Sequence, residues 1–497
     1  MTKRWKAGFI GAPAALAAAI VIAFPAAALA ADTEAAALDA ARVREIVNTA
    51  ADTVDSMYVY PDAGQRIADS LRARAGAGAY DRAGNASRLA DLLSRDLQEI
   101  GKDRHLSVRV GPSSSGGPVI RGVESGAGPA NTGGGGIRTV IRENPASPEG
   151  DRGHGPARIR REAGPRDPGS ADLQRRSNFG FRSVERLDGN VGLLDIREFV
   201  PLAASRDTAA AAMAFLAASD AVLVDLRQCP GGAPDIVSFL ASYFFGPERR
   251  ALFSRYDRPM DQKTTEYTVE DLPGRRMPDT DLWILVGPNT ASAGESFAYL
   301  LQQFGRATVV GERTAGAGHN NVMMPIGESL VLSVSVARPI HPRTGKGWEG
   351  DGVQPDVRVP AGEALPAAHA AALRRLIDRA PDPTRRRELA WALERTEAAR
   401  NRTLPTPAEL RKYAGRYGER SITVEDGGLV CRTATARARA LVPLGRDTFS
   451  WDEQTRATFE LDSSGRPARL LLERADGRSE TFVREDSAPV PARKETR

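Results

Sequence analysis

Apolar side chains recur at helical spacing along residues 33–104. Val43, Val47, Ala50, Val54 and Met57 fall three and four positions apart and form one face. Pro61 ends that helix, because proline removes a backbone donor and clashes with the preceding turn. Leu89, Leu92, Leu93 and Leu97 stripe a second helix, and "KDRHLSVRV" then opens a short alternating strand at His105. From residue 179 the period changes. Two apolar runs flank Asp188-Gly189, which predicts a hairpin. "AVLVDL" and "LWILV" are continuous apolar runs, each followed by a Gly- or Pro-containing turn and a helical pattern. Buried strands alternating with helices predict an α/β core over 179–361. Residues 362–403 return to helical spacing and read as a helical linker. Over 404–487, short strands alternate with turns at Asp426-Gly427, Ser464-Gly465 and Asp476-Gly477, which predicts a small all-β domain.

Two segments fall outside this pattern. Residues 1–30 combine a basic start, "MTKRWK", an apolar run and the small-residue sequence "AAALA". That is the pattern of a secretory signal peptide, so the mature protein is expected to be exported, periplasmic or extracellular in a bacterium, with no stable membrane anchor after cleavage. The N-terminal helical subdomain then covers 31–110. Residues 111–178 contain no Phe, Trp or Tyr, carry the run Gly133–Gly136 and are rich in Pro and Arg. Such a stretch buries too little apolar surface to offset its ordering entropy, and a disordered insertion is expected.

Composition narrows the function. The 497-residue chain is 41% hydrophobic, enough for a large core. Its 68 Lys+Arg and 63 Asp+Glu nearly balance, which gives no reason to expect a nucleic-acid partner. The two cysteines, Cys229 and Cys431, are too few for a disulfide framework or a four-cysteine zinc site. The histidines and acids show no metal-ligand spacing, and no cofactor is expected.

The candidate chemistry centres on "GPNTASAGESFAYL", residues 287–300. Ser292 stands where strand gives way to helix. With Glu295 it fits the S-x-x-E capping box, which is a purely structural role. The same position would project a nucleophilic hydroxyl over the C-terminal edge of the sheet, with backbone N–H groups of the turn and the helix dipole facing an oxyanion. Gly231 and Gly232, in "DLRQCPGG", could supply a second oxyanion donor from a turn.

Four segments in order, "DLRQCPGG", "TASAGESFAYL", "VVGERTAGAGH" and "WEGDGVQPDV", resemble those of S41 serine peptidases, the tail-specific and tricorn-like proteases, and the branch of the interphotoreceptor retinoid-binding protein repeats. The resemblance implies a ClpP/crotonase-like core and a serine-type peptidase acting on peptides or unfolded protein. Ala317 stands where tail-specific members carry a catalytic lysine, so a Ser-Lys dyad is not expected. The tricorn-like pattern uses histidine instead. It implies Ser292 as nucleophile, His105 as base and Glu349 as the supporting acid, with the N–H groups of Ala293 and of Gly231 or Gly232 holding the oxyanion. Arg104 replaces the relay serine of that pattern. His319, in the Gly-rich loop, is the rival base or a substrate contact. The alternative is a non-catalytic member that binds a hydrophobic ligand or peptide.

Overall fold

The computed structural model describes residues 38–111, 137–141, 159–163, 168–327, 329–401, 405–434 and 437–485. The expected signal peptide lies outside them. Of the insertion expected to be disordered, the described residues form two paired strands, Ile137–Ile141 and Ile159–Ala163, and the helix Pro168–Arg176.

A six-stranded sheet forms the centre. Its order is Val357–Arg358, Ala307–Gly311, Asp281–Val286, Ala221–Asp225, Val191–Ile196 and Phe181–Leu187. All neighbours are parallel except the last pair, the hairpin at Asp188-Gly189. Side chains alternate between the two faces of a strand, and here both faces are buried, which is why these strands read as unbroken apolar runs. Val222, Val224, Leu282 and Ile284 point to one face, packed by the helices Leu202–Leu216, Pro234–Ser242 and Ala293–Gln303. Ala221, Leu223, Trp283 and Leu285 point to the other, covered by Ala364–Asp378 and by Leu389 and Ala392 of Pro383–Asn401. The helical linker of the sequence therefore serves as the second cover of the core.

A second sheet is organised around the long strand Leu330–Ile340. Ser107–Val110 and Ala251–Asp257 pair with its two ends, and Asn320–Pro325 pairs along it. Leu330, Leu332, Val334 and Val336 pack against the N-terminal helices Ala40–Met57, Pro61–Gly76 and Ala86–Gly101. This contact brings the turn after Ala86–Gly101 to the loops of the central sheet.

The C-terminal domain is an antiparallel sheet of eight strands in sequence order, nearly closed into a barrel by a bridge between Tyr417 and Arg484. Tyr413, Tyr417, Phe449 and Phe459 fill its interior. Cys229 and Cys431 are both buried free thiols, and burial pushes them up to about 12 and about 11 respectively. No helix among the described residues is long and apolar enough to cross a membrane.

Candidate active site

Ser292 closes the turn after Asp281–Val286 and precedes the helix Ala293–Gln303. The turn is tied to its neighbour. Thr290, fully buried, accepts the Gly287 N–H at 3.0 Å and donates to the Leu226 carbonyl at 2.8 Å, while the Ala291 N–H binds the Cys229 carbonyl at 3.1 Å. Ser292 has φ 51° and ψ −117°, a conformation that costs a side-chain-bearing residue on the order of 1–3 kcal/mol. Glu295 helps to hold it there. This carboxylate has no solvent exposure and accepts N–H bonds from Ser292 (2.9 Å), Gly316 (2.7 Å) and Ala317 (2.8 Å), plus the Thr314 hydroxyl. Burial raises its pKa, and the four donors oppose that rise. The capping acid of the sequence thus also fastens the serine to the "TAGAG" loop.

The glycines differ in role. At Gly231 (φ 112°) a Cβ would lie 2.7 Å from the Ser292 Cβ, so only glycine lets this turn press against the serine. The Gly231 N–H faces the Cys229 sulfur. Gly232 bridges Phe199 through its neighbours: the Phe199 N–H binds the Gly231 carbonyl at 2.8 Å, and the Ala233 N–H binds the Phe199 carbonyl at 2.6 Å. That pairing turns the N–H of Gly232 itself away from Phe199, and Gly232 lines the Ser292 cavity. The Ala293 N–H, the first of its helix, has no intrahelical acceptor.

The cavity is a slot of about 50 Å³ whose walls include Ser292, Ala293, Gly232, Trp348 and His319. The His319 side chain is 2% exposed. Its Nδ1 lies 2.8 Å from Asp103 Oδ2, and its Nε2 has no hydrogen-bond partner. Asp103 sits in the turn after Ala86–Gly101 and also accepts the His105 N–H at 2.8 Å. Burial would raise the Asp103 carboxyl, but its bonds to His105 and His319 hold it far below the usual carboxylate range. Ionised Asp103 can only accept a hydrogen bond, so it favours the tautomer with the proton on Nδ1, in which Nε2 is the acceptor.

His105 and Glu349 lie behind this pair, and neither is part of the wall of the Ser292 cavity. His105 Nδ1 is 3.5 Å from Asp103 Oδ1 and 3.6 Å from Glu349 Oε2. Burial would lower its pKa, but the two carboxylates override burial and push it up to about 9. Glu349 Oε2 accepts the N–H groups of Gly318 (2.6 Å) and His319 (2.7 Å) and so holds the loop that carries His319. Asp103, His105 and Glu349 also bring ligand-type atoms within 4.8 Å of one another. The firmly held His105 proton competes with any cation for that place. Arg104 reaches the Ala315 carbonyl at 3.4 Å and is a loop contact.

The structure therefore gathers Ser292, Ala293, Gly232 and His319 around one cavity, sets Gly231 behind the serine, and places His105 and Glu349 across Asp103. Asp103 was not singled out by its sequence pattern. Its signal is slight, an acid two positions before a histidine at a helix end.

The family model for peptidase family S41 matches residues 190–359, and the model for the N-terminal domain of Peptidase_S41 in eukaryotic IRBP matches residues 26–122. A carboxyl-terminal-processing protease of Picosynechococcus is 32% identical over 153 residues, which is 29% of this chain and 32% of that protein. A probable CtpA-like serine protease of Staphylococcus aureus is 25% identical over 186 residues, 37% of this chain and 36% of that protein. The chain thus spans about a third of the length of the curated relatives it matches. Among solved structures, a photosystem II D1 C-terminal processing protease aligns with 64% of this chain and 93% of its own at TM-score 0.37 and 17% identity. The tricorn protease aligns with 66% of this chain and 35% of its own at TM-score 0.35 and 14% identity.

Proposed function

Because the chain belongs to peptidase family S41, we propose that it hydrolyses peptide bonds of peptides or unfolded proteins with Ser292 as nucleophile. The observation that carries the assignment is the shared cavity of Ser292 and His319, with Asp103 on the far nitrogen of the histidine. Ser292 Oγ attacks the scissile carbonyl while His319 Nε2 takes its proton. The N–H groups of Ala293 and Gly232 face the oxyanion. The proton then passes to the leaving amine, and the acyl-serine ester is hydrolysed by a water that His319 deprotonates.

Two observations favour His319 over His105 as base. His319 faces the cavity and His105 does not, and the carboxylates of Asp103 and Glu349 raise His105 to about 9, which makes it the poorer proton acceptor at neutral pH. His105 and Glu349 then act as a charged support behind the Asp103–His319 pair. The Ser292 slot, about 50 Å³, is well below the roughly 300–1,000 Å³ of pockets that hold drug-sized ligands, which weighs against the hydrophobic-ligand alternative. The signal-like pattern over residues 1–30 supports action outside the cytoplasm.

A fluorophosphonate probe tests the assignment. The wild type is expected to label, Ser292→Ala not at all, and His319→Ala at least ~100-fold more slowly. His105→Asn should label within about tenfold of wild type, since it keeps the base. An unlabelled wild type would sink the serine reading. Loss with His105→Asn but not with His319→Ala would return the base to His105.

A further inference from the structure

Two buried polar atoms in the support behind His319, His105 Nδ1 and Glu349 Oε1, have no hydrogen-bond partner among the described residues. Such atoms are uncommon, and a bound ion is one of their ordinary explanations. The distances point the same way. Asp103 Oδ1 and Glu349 Oε2 lie 3.5 Å and 3.6 Å from His105 Nδ1. That is long for an N–H···O bond, which runs from about 2.7 to 3.2 Å. It is the separation of neighbouring ligands around a four-coordinate ion, roughly 3.3–3.6 Å for metal–ligand bonds of about 2.0–2.2 Å. One ligand-type atom from each of Asp103, His105 and Glu349 falls within 4.8 Å of the other two.

The ligands are held in place before any ion arrives. Asp103 Oδ1 accepts the His105 N–H at 2.8 Å, and Glu349 Oε2 accepts the N–H groups of Gly318 and His319. That leaves Glu349 Oε1 free to turn to an ion. With the His105 proton in place, two carboxylates and one imidazolium carry a net charge of −1. A divalent ion that displaces the Nδ1 proton to solvent brings the cluster to neutrality. One imidazole with two carboxylates suits a borderline ion such as zinc, whereas magnesium demands near-octahedral oxygen ligands. Glu349 also lines a cavity of about 180 Å³ beside His319, which gives the ion a way in. Arg338 and Lys346 share that wall and oppose a cation, so the site is expected to bind reversibly rather than as a structural zinc centre.

We propose that Asp103, His105 and Glu349 form a zinc-binding site that reversibly inhibits the enzyme. Binding needs only these three residues, while the inhibition rests on the reading of His319 as the base for Ser292. An ion on Asp103 Oδ1 draws charge away from Oδ2, which lies 2.8 Å from His319 Nδ1. His319 becomes a weaker base, and the imidazolium formed during attack loses part of its counter-charge.

The test reads binding and inhibition separately on the full chain. Binding is measured by competition with a fluorescent zinc chelator. One ion per chain is expected in the wild type and in Ser292→Ala, with affinities within about threefold, and a loss of ~30-fold or more in His105→Asn. Inhibition is measured by fluorophosphonate labelling. Zinc at ~100 μM should slow the wild type ~10-fold or more, magnesium at ~1 mM should not, and EDTA should restore the rate. His105→Asn should label at one rate with and without zinc. A wild type that binds no zinc, or an undiminished affinity in His105→Asn, would overturn the site. Binding abolished by Ser292→Ala would also overturn it and would place the ion between Ser292 and His319 Nε2. Should His105→Asn misfold, Glu349→Gln is expected to bind at least ~10-fold more weakly, and an unchanged affinity counts against the site. Zinc bound at the cluster without slower labelling overturns the inhibitory role. A chain that binds zinc as expected but never labels, even in EDTA, removes the serine mechanism and leaves the binding site standing.

Discussion

His319 Nδ1 lies 2.8 Å from Asp103 Oδ2, a contact between residues 216 positions apart in the chain. It depends on the packing of Leu330–Ile340 against the N-terminal helices, which carries the turn with Asp103 to the loop with His319. Asp103 fixes which nitrogen of His319 holds the proton. Asp103→Asn keeps the shape but offers an amide that can present a donor to Nδ1, turning the acceptor nitrogen away from Ser292. Labelling by fluorophosphonate should fall on the order of 10³–10⁴-fold, the scale of losing tautomer control in a serine triad. A rate within tenfold of wild type would remove Asp103 from the mechanism.

The same cluster sets a pH dependence of stability. His105 is raised from 6.5 to about 9, so the folded state binds a proton that the unfolded chain releases above 6.5. Its stabilising contribution is fully present below about 6.5 and is lost as the pH rises through about 9. Asp103 is lowered from 3.8, so its contribution is present above 3.8 and is lost as the pH falls through the folded-state value. Urea melts of wild type and His105→Asn should therefore show a stability difference that shrinks between pH 6.5 and about 9. A difference that grows over this window would contradict the imidazolium assignment.

Some of this arrangement was legible in the chain and some was not, for physical reasons. "AVLVD" announced a strand buried on both faces, because an apolar run that short between turn signals fits little else. Ser292 stood out because a serine at a strand–helix junction has few roles. The helices over 364–401 are rich in Ala and Arg, which blurs the contrast between faces and hid their packing on Trp283 and Leu285. Asp103 could not be read, because an acid at a helix end is commonplace and its meaning comes from a partner far along the chain.

Glu295 gives a prediction about the frame of the site. Four donors converge on its carboxylate in a fully buried position. Glu295→Gln replaces one acceptor oxygen with an NH₂ group that meets N–H donors head on. Leaving buried donors unsatisfied costs about 1–3 kcal/mol. Chemical denaturation should show a loss in that range, and labelling should slow because the Ser292 N–H and the "TAGAG" loop lose their common anchor. Unchanged stability would mean that the loop is held from elsewhere.

Ser292 itself separates strain from chemistry. Ser292→Ala and Ser292→Gly both remove the hydroxyl, and both should abolish labelling. They differ at the Cβ. Alanine keeps the cost of φ 51° with ψ −117°, whereas glycine adopts positive φ readily. Glycine gives back part of that gain through the greater freedom of its unfolded chain, typically about 0.5–1 kcal/mol. The cavity left by one methyl group is small beside the relief of strain. Ser292→Gly is therefore expected to be more stable than Ser292→Ala by about 1 kcal/mol in urea melts. Equal stabilities would show that the backbone at Ser292 relaxes once the hydroxyl is gone, and that the serine, through its own contacts, holds the turn in the strained form.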